Sequence, residues 1–374
     1  MSVGDNRFHA AVGAYMQALM TEEPAEIHTA HEELIASLDD ASAEILVLGS
    51  KALAPLLDRI PPGARAQVAN MIGAYVHTAA DAVECAPLIL ANLAKALDYA
   101  KQFAEQWQAT MQAELPDPEQ TDTEWEWLEQ FGVQPLMAWW TVDMWISPAI
   151  AMLQHKQVRK LFGRNGRELV QQRHDALGEA YGRWWKELSS MLLLLDDEPL
   201  VVLHRESGTG YLLCMNGIAD NFQLHTLLAD ALIGGGHLPG DPPSAEAVAM
   251  CRDATGQVLT TGAFNLVAPD GSWIWNEGTP SDIPVVDGTR LLVLDPPPYE
   301  RNWPAGRYFP FVPADLALER VLTDAEVAQW LAHVRPPDTP AGMDRVMLTQ
   351  MSIAPAHTTL PPSSRPDGDP TSPH

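Results

Sequence analysis

The sequence predicts a multi-domain α and α+β protein: a helical bundle over 1–195, a smaller mixed α+β domain with a largely antiparallel sheet over 196–334, and a disordered Pro/Ser/Thr-rich tail over 335–374. Three observations carry this reading. Up to residue 195, Gly and Pro are sparse and apolar residues recur at the three- and four-residue steps that give a helix one buried stripe. Beyond it, Pro and Gly crowd in, and short β-type runs alternate with turn residues. Finally, 374 residues exceed what one average core organises.

In the helical half, Phe8, Val12, Tyr15 and Leu19 form one stripe, and Ile27, His31, Leu34 and Leu38 a second. Pro61-Pro62-Gly63 breaks the chain before a third stripe on Val68, Ile72, Tyr75 and Ala79. A longer seam runs from Leu90 to Met111 through Leu97, Ala104 and Trp107. Another runs from Val170 to Leu195 through His174, Tyr181, Trp184 and Leu188. Seams of this length face a neighbouring helix over several turns, so they predict packing within a bundle, with homo-oligomerisation as their lesser use. Between the seams, residues 115–132 read as a linker leading into a helix start.

Residues 133–153 are the most apolar stretch, with Trp139, Trp140, Trp145 and one charge, Asp143. A basic flank follows at Lys156, Arg159, Lys160, Arg164 and Arg167. This combination has the outline of a membrane anchor. A carboxylate at mid-bilayer costs about 2.5–3.5 kcal/mol, however, and Pro148 and the interior Trp residues also argue for a buried central helix. The basic cluster reads either as an anion site or as an exposed helix face paired with acidic neighbours; surface pairs are common, and the second reading is preferred.

In the mixed half, LVVLHR and YLLCM flank Ser207-Gly208-Thr209-Gly210 as a hairpin. Asp220 and Gln223 cap a helix over Asn221–Ile233 that ends at Gly234-Gly235-Gly236, and Ser244 starts a short helix. Pro269-Asp270-Gly271 and Asp287-Gly288 mark two further hairpins, the first placing Trp273 and Trp275 on one strand face. The run from Pro296 to Phe311 reads as an exposed, semi-rigid loop, because Pro cannot donate to a sheet ladder. LALERVL is a strand, and Thr323 with Glu326 opens a helix over Asp324–Val334. In the tail, the apolar patch at 346–353 interrupts polar sequence.

The search for chemistry is mostly a record of exclusions. His31-Glu32 is followed by Ile35 where a zincin needs its second histidine. There is no G-x-S-x-G elbow, no phosphate-binding G-x-x-x-x-G-K-[ST], and no C-x-x-C among Cys85, Cys214 and Cys251. Cys214, Asp220 and His225 are the right types for an activated thiolate, and the seam histidines His31 and His174 are the metal candidates. Trp273, Trp275, Tyr299, Trp303 and Tyr308 are the candidate binding residues: exposed beside a rigid loop they would form a recognition surface, while buried they are simply core, the preferred reading. The net charge of −26 repels phosphate backbones and makes nucleic acid a poor default partner; it reads either as the ordinary acidity of a soluble protein, which is preferred, or as a field that speeds encounter with a basic protein. The N-terminus lacks the pattern of a secretory signal, so the expected compartment is the cytoplasm.

Together these readings predict a non-enzymatic soluble binding protein, an adaptor or an immunity/antitoxin-like neutraliser of a basic protein partner, with no cofactor, nucleic acid or membrane involved. The alternative is an enzyme with a site between the two domains, using Cys214, His225 and Asp220 or a seam-histidine metal site.

Overall fold

A computed structural model describes residues 1–336 apart from Glu22, His77 and 119–124. All but the first two residues of the predicted tail, including the patch at 346–353, lie outside the described residues, as does part of the predicted linker. The N-terminal half is helical: α1 (Val3–Thr21), α2 (Pro24–Ala36), α3 (Ala43–Leu53), α4 (Pro62–Tyr75), α5 (Ala79–Met111), α6 (Trp125–Phe131), α7 (Val133–Thr141), α8 (Ile146–Leu153), α9 (Lys156–Tyr181) and α10 (Lys186–Leu192). The central pillar is α5, which packs against α3, α7, α8 and α9. Its start is fixed by Thr78, whose hydroxyl accepts the Asp81 N–H, and Ile89, Leu93, Leu97, Ala100 and Ala104 run buried along its length.

Three predicted stripes end earlier than their spacing suggests. Leu38 lies past α2, which ends at Ala36. Ala79 does not close α4; it opens α5. The seam from Val170 to Leu195 is cut at Gly182, which takes a left-handed φ of 71° and caps α9 by donating to the Gly178 carbonyl at 2.8 Å. Residues 183–185 leave helical geometry before α10 begins, so Trp184 sits 50% exposed beside the seam. The stretch 133–153 is long and apolar enough to cross a membrane, but 61% of its most apolar window is buried within the protein. Trp139 and Trp140 of α7 and Met152 and Leu153 of α8 belong to the bundle core.

The C-terminal half contains β1 (Glu198–His204), β2 (Thr209–Asn216), α11 (Asn221–Ala229), α12 (Ala245–Arg252), β3 (Val258–Thr261), β4 (Asn265–Val267), β5 (Val285–Val286), β6 (Thr289–Asp295), β7 (Asn302–Ala305), β8 (Asp315–Val321) and α13 (Asp324–Leu331). The main sheet has the order β4-β6-β1-β2-β8, with β5 on β6; β1 and β6 run parallel and the other pairs antiparallel. Alternation along the strands gives two faces. Leu200, Val202, Leu213, Met215, Leu292 and Leu294 meet α11 and α12 in the larger core. Val201, Leu203 and Leu291 meet Val327 of α13 in a smaller one.

Three predicted details change. The helix at Asn221 is α-helical to Ala229 and then widens into one π turn over Asp230–Gly234. The Pro-rich run contains a strand, β7, paired with β3. Its Trp303 and Ala305 point inward while Asn302 and Pro304 face out, and a two-stranded ribbon tolerates the missing Pro304 N–H. The Trp273–Trp275 segment is no strand: Trp273 makes a single bridge to Val267.

The helical core extends to Leu194 and the mixed core starts at Leu195. Across this junction the acidic run 196–198 answers the basic flank of α9. Arg159 and Asp196, both almost fully buried, form a two-pronged pair with both bonds at 2.7 Å. Lys156 and Lys160 pair with Asp197, and Arg164 with Glu198.

Candidate functional site

Cys214 lies on β2 between Pro199 and Ala317. Its neighbours Leu213 and Met215 point into the larger core, so alternation turns Cys214 to the opposite face, while α11 packs on the larger-core side. Among the described residues, the polar contact of its sulfur is a long one, from Asn216 Nδ2 at 3.7 Å, and burial raises the thiol pKa. Asp220 is the N-cap of α11: Oδ1 accepts the Gln223 N–H at 2.8 Å, and burial raises its pKa.

His225 is buried in α11. Its Nε2 accepts the backbone N–H groups of Ala263 (3.1 Å) and Phe264 (3.0 Å), which places the ring proton on Nδ1. The ring stacks on Phe264 and tilts against Trp303, centroids 4.9 Å apart. Gly262 makes this approach feasible, since a Cβ there would come within 2.8 Å of the Trp303 ring and 3.3 Å of His225. Burial, followed by the Arg301 charge, brings the His225 pKa down to about 4. The geometry therefore does not bring Cys214 to His225 and Asp220. All three shifts favour neutral side chains, the reverse of a thiolate–imidazolium pair.

The seam histidines are also engaged separately. His31 contacts Gln67 Nε2 at 3.0 Å and lies against Tyr15. Fully buried His174 accepts the Trp185 N–H on Nε2 (3.1 Å) and donates from Nδ1 to Asp175 Oδ1 (2.9 Å). Among the described residues, no three His, Cys, Asp or Glu side chains converge as a metal site.

The five aromatic candidates divide by burial. Trp303 is core, its Nε1 directed at Thr226 Oγ1. Trp273 is half-buried, Trp275 is 46% exposed, and their rings lie 5.6 Å apart. Tyr299 lies under the Arg301 guanidinium and Tyr308 under Lys186. Tyr308 also feels the carboxylates of Glu187 and Asp220.

A residue outside that set is presented more openly. The Val312 N–H donates to the Phe309 carbonyl at 3.1 Å, closing a turn with Pro310 and Phe311 at its tip. The turn is held on both sides: Phe309 and buried Val312 pack on the helical core, and Arg307 donates to the carbonyls of Val312, Asp253 and Ala254. Phe311 between these anchors is 81% exposed. Its signal in the sequence is the pair of prolines, Pro310 and Pro313, around an aromatic at the end of the Pro-rich run.

No family model, curated protein or solved structure matches this chain.

Proposed function

We propose that this protein is a non-catalytic binding module that docks a basic protein partner through the turn at Phe309–Val312. The observation that carries this reading is Phe311, an unpaired aromatic ring held in solvent by a turn anchored on both sides. A pre-ordered aromatic loses little conformational freedom on docking, which is the character of an interface anchor. Tyr308, with Lys186 over its ring and Glu187 beside it, adds an aromatic border of mixed charge, and the net charge of −26 steers a basic partner toward the chain. The rival reading, an enzyme using Cys214, Asp220 and His225, finds no support in the separation of those side chains or in the direction of their pKa shifts.

Phe311→Ser and wild type, used as paired baits at physiological salt, test the proposal. A partner of basic composition should be held by wild type, lost with Phe311→Ser and released as salt rises. Retention by both baits, or indifference to salt, would remove the basis for this reading. Thiol labelling examines the rival: Cys214 should react more slowly than a free thiol at neutral pH, and fast labelling there would revive catalysis.

A further inference from the structure

A cleft of about 180 Å³ opens where the second half of α9 faces the 192–195 connection and Arg290 of β6. Three guanidiniums line it: Arg164, Arg167 and Arg290. Two of them share one carboxylate, since Arg290 Nε donates to Glu198 Oε1 at 2.9 Å and Arg164 Nη2 to Glu198 Oε2 at 2.8 Å. Arg290 is further fixed by donating from Nη1 to the carbonyls of Ser281 and Ile283.

Arg167 differs from the other basic residues of α9. Lys156, Arg159, Lys160, Arg164 and Arg173 each have a carboxylate partner. Among the described residues, Arg167 donates only to the carbonyls of Leu192 and Leu194, through Nη1, and its buried Nε has no partner. Burial pulls its pKa down, the sign of a cation under-compensated by its surroundings. Against the three guanidiniums stand Glu198, the exposed rim carboxylate Glu168 and, from further off, Asp282 acting on Arg290 and the Arg159-paired Asp196 acting on Arg167. The lining itself thus holds three guanidiniums against one carboxylate in a strongly acidic chain, and the further carboxylates stand behind it.

We propose that this cleft is a binding site for a small organic monocarboxylate. The carboxylate seats against Arg167 Nη2, since Nη1 is taken by the Leu192 and Leu194 carbonyls and Nε is buried, and the carbon body lies on Leu192, Leu193 and Leu195. Three guanidiniums against Glu168 and Glu198 leave a surplus of about one charge on this wall, before the more distant Asp282 is counted. A phosphate dianion would meet both Glu168 and the Gln171 carbonyl oxygen, which is held by the Gln171 amide's bonds to Asp175 and Ser189 and has no donor of its own.

Titration calorimetry and thermal melting of the full chain with isovalerate, benzoate and inorganic phosphate test this. Saturable one-site binding of a carboxylate with a rise in melting temperature is expected. Arg167→Lys should weaken it about tenfold, the loss of one charged hydrogen bond. Should that variant fail to fold, Gln171→Glu places a negative charge on the same wall and should weaken binding at least as much. Absence of saturation, wild-type affinity in the folded variants, or tighter binding of phosphate than of either carboxylate would each overturn the assignment.

Discussion

The Trp-rich stretch of the helical half and the aromatic run of the mixed half contain similar side chains with opposite destinations. Phe103, Trp107, Phe131 and Trp139 close on one another with ring centroids 5.3–5.7 Å apart, and all are buried. In the mixed half Trp303 is equally enclosed, while Tyr308 and Phe311 emerge a few residues later. The difference lies in the backbone. Helices α5 and α7 turn their aromatics toward a shared axis, whereas a closed turn with proline inside it has no second surface to face. Aromatic content alone therefore does not identify an interface; the anchoring of the segment that presents the ring does.

The contrast can be attacked first where the expected effect is largest. Trp139→Ala removes a 2% exposed ring that packs on Phe103, stacks under Arg183 and donates from Nε1 to the Pro116 carbonyl. It should cost about 3–5 kcal/mol in denaturant unfolding. A loss below about 1 kcal/mol would mean that the bundle core does not depend on this cluster. Arg159→Met leaves Asp196 buried and unpaired, and should cost about 3–5 kcal/mol as well, with part recovered when Asp196→Leu is added. Strict additivity in that double variant would show that the two side chains do not interact.

A pH titration sharpens the comparison in the mixed half. Folded His225 holds its proton only near pH 4, while the unfolded chain takes it up near 6.5. Between those values the unfolded state binds more protons, so stability falls as pH drops from 6.5 to about 4, by about 3 kcal/mol for this residue. His225→Gln, though less stable at neutral pH, should show a shallower decline across that window; parallel curves would clear His225 of the effect. The smallest effect belongs to Phe311→Ala, which should leave unfolding within about 0.5 kcal/mol of wild type while weakening partner capture. A large destabilisation would place Phe311 in the core and dissolve the distinction between the two aromatic groups.

Much of the architecture was legible from local chemistry. The Asp220, Ser244 and Thr323 caps each accept the backbone N–H three residues on, and the turns at Gly208 and Asp287-Gly288 join the expected strands. The seam through Gly182 was misread because spacing records periodicity but not the φ a glycine adopts. Strand β7 was missed because its ladder depends on β3, some forty residues away in sequence. The site was less legible. Cys214, Asp220 and His225 are close in sequence, yet the pleat of β2 points the cysteine away. Arg167 looked like every other basic residue of α9, and only the tertiary arrangement shows that it alone of the six described between 156 and 173 has no carboxylate opposite it.

The acidic run just past the bundle bears on how the polypeptide could be divided. A fragment stopping at Leu195 would strip Lys156, Arg159, Lys160 and Arg164 of their counter-ions in one cut and leave the buried Arg159 guanidinium with the Leu153 and Gln154 carbonyls but no carboxylate. The front portion is thus electrostatically unfinished without the first three residues of its successor. Any truncation intended to isolate the helices must carry Asp196, Asp197 and Glu198 along.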